Sequence, residues 1–206
     1  MTAAEFDLLT LGHSNLPADG FLTLVQGAGV TAIADVRSVP FSRRYPWFSG
    51  PALAAHLQGA GVAYLPLGDV LGGRPRDPAL YCEGVADYEK MAATPQFRGG
   101  LDRVAEAAGR FRVCLMCAER EPLDCHRCLL VTRALAERGF AVGHVLADGT
   151  IEPHGETEER LIALARVPAD LFADRNQRLA AAYARRAGTA AYRRVEKPLT
   201  AAKAAT

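Results

Sequence analysis

The chain has 206 residues, half of them hydrophobic, and a formal net charge of +1 at pH 7. That length and apolar content suffice for one full core, whereas no run approaches roughly eighteen apolar residues and the N-terminus lacks a basic-then-apolar leader, so neither a membrane span nor a secretory signal is expected. Five cysteines, at 82, 114, 117, 125 and 128, form an odd set in an ordinary composition, which favours reduced thiols in the cytoplasm over a disulfide framework.

Phe6–Leu11 reads as a short apolar strand, followed by the polar turn Gly12-His13-Ser14-Asn15. A helix is expected over Ala18–Ala28, closed by Gly29. Val30–Val36 is a second strand, apolar on both faces until Asp35, as in a parallel sheet covered on both sides. The loop Arg37–Phe48 is rich in proline and holds Arg37, Arg43 and Arg44, and its length for a strand-to-helix connection suggests a function. A helix beginning at Pro51 and a strand over Gly61–Leu65 follow. The glycine-rich stretch Gly68–Arg76 lacks both the dinucleotide fingerprint and the Lys-Ser/Thr of a phosphate-binding loop.

Helices are expected over Gly84–Met91 and Leu101–Ala108, broken at Thr94-Pro95. Phe111–Cys117 is a buried strand and Ala118–Asp124 a tight polar loop. A helix then runs from Cys125 to about Arg138, with Asp124 as its cap and Cys125 in the first helical position. Ala141–Leu146 is the last expected strand, and Glu156–Ala165 a helix broken by Val167-Pro168. A basic helix runs from about Asp174 to Arg186, interrupted at Gly188. Alternating strands and helices predict a three-layer α/β fold with a mostly parallel sheet of about five strands. It occupies residues 1–173 as one domain, with a basic helical extension over 174–206, packed on the domain or trailing from it. From Arg175 onward eight basic residues face one glutamate, which leaves the preceding 174 residues at net −6.

The chemistry-bearing residues gather at expected strand exits. Parallel strands bring all such exits to one sheet edge, where open α/β sheets bind ligands. Cys117, Glu119, Cys125 and His126 are the catalytic candidates: a thiol at a helix start has a lowered pKa, and a carboxylate and an imidazole can move protons. His13, Ser14, Asp35, Arg37, Arg43, Arg74, Arg120 and Arg127 are candidates for holding an anion, since clustered arginines repel unless something neutralises them. The pair of Cys-x-x-Cys spacings imitates a four-thiolate zinc site. In a strand, however, residues three apart point to opposite faces, so Cys114 and Cys117 should not share a metal. No cofactor is expected on this reading. The alternative is a smaller metal site drawing on Cys117, Cys125, His126 or His13.

Taken together, Thr10–Asn15, Asp35–Arg43, Leu71–Arg74, Leu115–Arg127 and Gly143–Val145 resemble the uncharacterised domain family DUF488. The likeness extends over roughly residues 6 to 185, including Asp170-Leu171-Phe172 and Ala182-Tyr183, and its most specific part is Cys-Ala-Glu…Cys-His-Arg. It implies a compact α/β protein whose motif residues include Ser42 and Gly73 besides those above, and it implies no mechanism. The expectation is an enzyme, a hydrolase or transferase acting on a phosphate-bearing or otherwise anionic substrate, either a small ligand or nucleic acid, and no membrane partner. The alternatives are a non-catalytic nucleic-acid binding module, resting on the basic tail and the Arg/Trp/Phe loop, and a metal-binding or redox thiol protein.

Overall fold

Strand alternation separates two apolar faces. Leu8, Ala32, Ala34, Val113, Leu115 and Val142 belong to one buried cluster, while Leu9, Leu11, Ile33, Cys114, Met116 and Val145 belong to the other. A period of two along each strand produces this division, and each fully buried aliphatic side chain contributes roughly 1.5–3 kcal/mol. The computed structural model describes residues 5–166 and 174–194.

The elements, in chain order, are β1 (Leu8–Gly12), α1 (Ala18–Gly27), β2 (Ala32–Asp35), α2 (Gly50–Gly59), β3 (Ala63–Pro66), α3 (Gly68–Leu71), β4 (Tyr81–Cys82), β5 (Val85–Ala86), α4 (Tyr88–Ala92) and α5 (Pro95–Ala108). Then come β6 (Val113–Cys117), a π-helical turn (Arg127–Thr132) leading into α6 (Arg133–Glu137), β7 (Val142–Val145), β8 (Ile151–Pro153), α7 (His154–Ala165) and α8 (Arg175–Ala190). Among the described residues, six strands form one sheet in the order β3-β2-β6-β1-β7-β8. The first five are parallel, and β8 pairs with β7 antiparallel at the edge.

Helices α1 and α2 bury Phe21, Val25, Leu53 and Leu57 on one face of the sheet. The other face takes Leu71, Met91, Leu101 and Val104 of α3 to α5, together with the π turn, α6, α7 and Tyr183 of α8. The connections leaving the neighbouring strands β1 and β6 therefore depart to opposite faces. That divergence is the switch point at which a doubly wound sheet opens a crevice beyond its strand ends.

Several local expectations are corrected. Gly84–Met91 is not one helix. Glu83 (φ 48°) and Gly84 (φ 76°) are both left-handed and turn the hairpin β4–β5 before Asp87 caps α4. Thr94-Pro95 starts α5 rather than breaking a helix, because the Thr94 hydroxyl accepts from the Phe97 N–H at 3.1 Å and proline suits the first turn. The strand β8 escaped the sequence reading, being three residues long and only partly buried.

Gly188 does not interrupt α8, which runs on to Ala190 from an Asp174–Gln177 capping box. Arg193 lies beyond that helix, bridged to Val85, so Arg178 and Arg185 do not share a helical face with it. Arg175 pairs with Glu158 and Glu159, and Arg186 with Asp124. The charge separation between tail and body thus contributes to docking α8. Residues 170–172 and 195–206 lie outside the described residues. Among those described, no helix is long and apolar enough to cross a membrane.

Candidate functional site

β6 ends by directing Cys117 toward the face that carries the π turn, while Cys114 lies in the opposite cluster. Burial pushes the Cys114 thiol up to about 12, so it stays protonated. After the loop, Pro122–Asp124 form a 3-10 turn and Cys125 is extended (φ −133°, ψ 137°). Its carbonyl accepts from the N–H groups of Cys128 and Leu129, each at 3.0 Å, and its Sγ accepts from the Arg127 N–H at 3.4 Å. Cys125 therefore occupies the cap, not the first helical position, and Asp124 is turned away toward Arg186. The Thr132 hydroxyl donates to the Arg127 carbonyl at 2.7 Å within the π turn, a winding that recurs at functional sites.

Arg127 is corrected as an anion ligand. It is 1% exposed, and its Nη1 and Nη2 donate to the carbonyls of Glu119 and Arg120. It folds the loop over the sheet edge instead of facing a ligand. Gly12 makes room for that loop, since a Cβ there would stand 1.8 Å from the Glu119 carbonyl oxygen.

Behind the loop, four donor groups converge. Glu119 Oε2 lies 3.0 Å from both Cys117 Sγ and Cys125 Sγ, and His126 Nδ1 lies 3.8 and 3.9 Å from the same two sulfurs. His126 Nε2 faces the Val36 carbonyl at 2.9 Å, an acceptor only, so Nε2 carries a proton and Nδ1 addresses the sulfurs. Hydrogen bonding from the Cys125 sulfur, then burial, hold the Cys117 thiol well above its ordinary range. Burial opposes ionisation of Cys125, yet the Cys117 hydrogen bond, Arg127 and His126 together bring its pKa well below the usual value. Burial likewise opposes a charged His126, but the Cys125 sulfur raises its pKa. Glu119 is exposed as a residue while its Oε2 turns inward, and burial of that carboxyl raises its pKa. Cys125 is the sulfur best able to carry negative charge, whereas Cys117, Glu119 and His126 each hold a proton more tightly than usual.

At the ends of β1 and β2 a second group of polar side chains adjoins this cluster. Asp35 accepts from Arg37 Nε at 2.9 Å and Nη2 at 2.5 Å, and from the Tyr64 hydroxyl at 2.8 Å. Arg37 Nη1 donates to His13 Nε2 at 3.2 Å, so the His13 proton resides on Nδ1, opposite the Ser14 carbonyl at 3.0 Å. Burial first, and Arg37 second, lower the His13 pKa to about 4. His13 stacks on Phe48 with ring centroids 4.0 Å apart. With both nitrogens engaged, it is no metal ligand.

A cavity of about 420 Å³ opens above these groups, lined among others by His13, Arg37, Ser38, Arg74, Cys117, Glu119, His126 and Tyr192. Arg37 has five donor N–H bonds, of which three serve Asp35 and His13. Arg74 stacks over Tyr192 at 4.8 Å and has no carboxylate partner among the described residues. Asp35 and Cys125 stand behind the cavity wall, and Ser14, Arg43 and Arg120 do not line it. Ser38, Phe48, Tyr64, Tyr88 and Tyr192 were not anticipated. The Ser38 hydroxyl accepts from the Arg74 N–H at 2.9 Å, and no local motif announces that pairing.

Gly73 touches the His126 ring, and a Cβ there would lie 2.6 Å from His126 Cγ. Gly73→Ala is expected to lower the stability by about 1–3 kcal/mol through overpacking. The urea midpoint measures it, and an unchanged midpoint would show that the ring is free to shift.

Sequence reasoning also passed over a buried chain on the same face of the sheet. The Thr10 hydroxyl meets His144 Nδ1 at 2.8 Å, and His144 Nε2 meets His154 Nδ1 at 3.0 Å. His154 Nε2 meets the Tyr183 hydroxyl at 3.1 Å, and that hydroxyl donates to Glu158 at 3.2 Å. A single direction satisfies every atom: Thr10 donates to His144, His144 to His154, His154 to Tyr183 and Tyr183 to Glu158.

A family profile described as "Domain of unknown function DUF488" matches residues 17–134, which include Asp35, Arg37, Arg74 and the whole Cys117–Arg127 segment. No curated protein and no solved structure matches the chain.

Proposed function

The chain belongs to the DUF488 family, and from that premise we propose that it is an enzyme acting on a small phosphate- or carboxylate-bearing substrate in the cavity at the sheet edge. Arg37 and Arg74 hold the anion, and the cluster of Cys117, Glu119, Cys125 and His126 carries out hydrolysis or group transfer beside it. The observation that carries this reading is the charge of the cavity wall. Arg74 lacks a carboxylate partner among the described residues, Asp124 is neutralised by Arg186, and burial raises the pKa of Glu119. Arg37 is already paired with Asp35, so the counter-charge an anion supplies is that of Arg74. Cys117, Glu119 and His126 line the cavity beside the anion, and Cys125, the sulfur disposed to ionise, stands directly behind them, the ingredients of nucleophilic and acid–base catalysis.

A non-catalytic nucleic-acid module has less support, because Arg175 and Arg186 are bound to carboxylates of the body. Calorimetry with inorganic phosphate, pyrophosphate and small dicarboxylates tests the assignment. Arg74→Ala should weaken binding of the preferred anion about 10- to 100-fold, the equivalent of one charge-assisted hydrogen bond of roughly 1.5–3 kcal/mol. Equal affinities in the two proteins, or no binding of any of these anions, would overturn it.

A further inference from the structure

We propose that Cys117, Cys125 and His126 bind one thiophilic divalent cation, zinc foremost, with Glu119 on the fourth, cavity-facing direction as an exchangeable ligand. Cys117, Glu119, Cys125 and His126 each offer one donor atom, all within 4.8 Å of one another. A tetrahedral zinc with bonds of about 2.3 Å to sulfur and about 2.0–2.1 Å to nitrogen requires sulfur–nitrogen separations of about 3.6 Å. His126 Nδ1 lies 3.8 and 3.9 Å from the two sulfurs, nearly equidistant, as ligands around a common centre would be. Glu119 Oε2 is closer, 3.0 Å from each sulfur, and must draw back toward the cavity as an ion enters. Its exposure leaves it room to do so.

The surroundings suit a metal. A ligating imidazole is ordinarily oriented by donating its other N–H to a carbonyl or carboxylate. His126 does this toward Val36 at 2.9 Å. The Arg127 N–H points at the Cys125 sulfur, and the Arg127 guanidinium pins the carbonyls of Glu119 and Arg120. Two thiolates and one neutral imidazole balance a divalent cation, and this soft donor set favours zinc over magnesium or calcium.

The second cluster, Cys128 with His144 and His154, differs in one respect. There His144 Nε2 and His154 Nδ1 bond to each other, and their outer nitrogens to Thr10 and Tyr183, so no imidazole lone pair is directed at Cys128. The ion proposal rests on the enzymatic reading only for its use: with the ion bound, the two sulfurs and His126 are ligands rather than nucleophile and base, and the ion would present a Lewis acid to the group held by Arg37 and Arg74.

The test starts from protein stripped with chelator and titrated with zinc against a chromophoric chelator, then with cobalt(II) followed by absorption. One equivalent is expected, with cobalt spectra showing thiolate charge transfer and a tetrahedral ligand field. Cys117→Ser and Cys125→Ser should each weaken zinc beyond the about 10- to 100-fold effect of losing an outer hydrogen-bond partner, while Cys82→Ser and Cys114→Ser should not change it. Since a buried variant can fail to fold, X-ray absorption of the zinc-loaded wild type provides a second measurement, with two sulfur and two nitrogen or oxygen neighbours expected. Absence of stoichiometric zinc, four sulfur neighbours, or wild-type affinity in folded Cys125→Ser would overturn the site. Arg74→Ala should retain the zinc. Loss of anion binding in metal-loaded wild type would count against the cavity reading alone, and anion turnover unchanged by complete zinc removal against the ion's Lewis-acid use alone.

Discussion

Arg127→Ala is expected to lose about 3–5 kcal/mol of stability and to melt about 6–20 °C below the wild type. Arg127 is among the largest fully buried side chains, and two loop carbonyls depend on its guanidinium. Each partly buried carbonyl left without a donor costs about 1–3 kcal/mol, and the vacated volume adds a cavity term. For a chain of this size each kcal/mol corresponds to roughly 2–4 °C. Arg127→Met separates the two contributions, since it restores most of the volume and none of the donors. Arg127→Lys can reach one carbonyl but not both in the planar fork that arginine offers. Circular dichroism during heating and urea titration reads the effect. A loss within about 1 kcal/mol for Arg127→Ala would show that the loop holds its shape without the guanidinium.

Acid is expected to destabilise the protein well before its carboxylates titrate. His13, His144 and His154 are buried, and burial is the first cause lowering each pKa in the folded state. Arg37 adds to the effect at His13, and at His144 so do His154, Arg127 and Arg160. At His154, Glu158 and Glu152 act in the opposite direction. A histidine with a depressed folded pKa contributes stability above the unfolded value of about 6.5 and loses it as pH falls through the folded value. For His13, whose pKa is lowered to about 4, the window is pH 6.5 to 4 and the contribution is on the order of 3 kcal/mol. His126, whose pKa is raised, works against the trend, since its contribution is lost as pH rises.

With three histidines against one, urea midpoints should fall steadily between pH 7 and 4.5. His154→Gln should flatten that slope, because glutamine can still bond to Tyr183 without titrating. A midpoint at pH 5 equal to or above that at pH 7 would contradict this assignment of charge.

Much of the frame is legible in short-range pattern. The alternation in Val113–Cys117 places Cys114 and Cys117 on opposite faces whatever the rest of the fold does, which is enough to argue against a four-cysteine centre. Double-faced apolar runs at β1, β2 and β6 imply a covered parallel sheet, and a parallel sheet brings Asp35, His13 and Cys117 to one edge. The π turn is less legible, because it depends on a Thr132 hydroxyl reaching back five residues rather than on helix propensity.

What the sequence by itself determined was therefore the kind of sheet, the edge at which chemistry collects, and the residue types available there. Those follow from periodicities of two and of 3.6 and from turn residues, all of them local. The direction of each long polar side chain was decided only by tertiary structure. Arg127 was expected to face a ligand and instead folds the loop, because Gly12 on β1 leaves space for the Glu119 carbonyl within reach of its guanidinium. Arg37 is held by Asp35 and His13 from two different strand ends, Arg74 meets Tyr192 from beyond α8, and His144 meets His154 across the β7–β8 edge. Each of these partners is chosen by which segments the packed core brings within about 3 Å for a hydrogen bond. Separation along the chain carries no record of that distance.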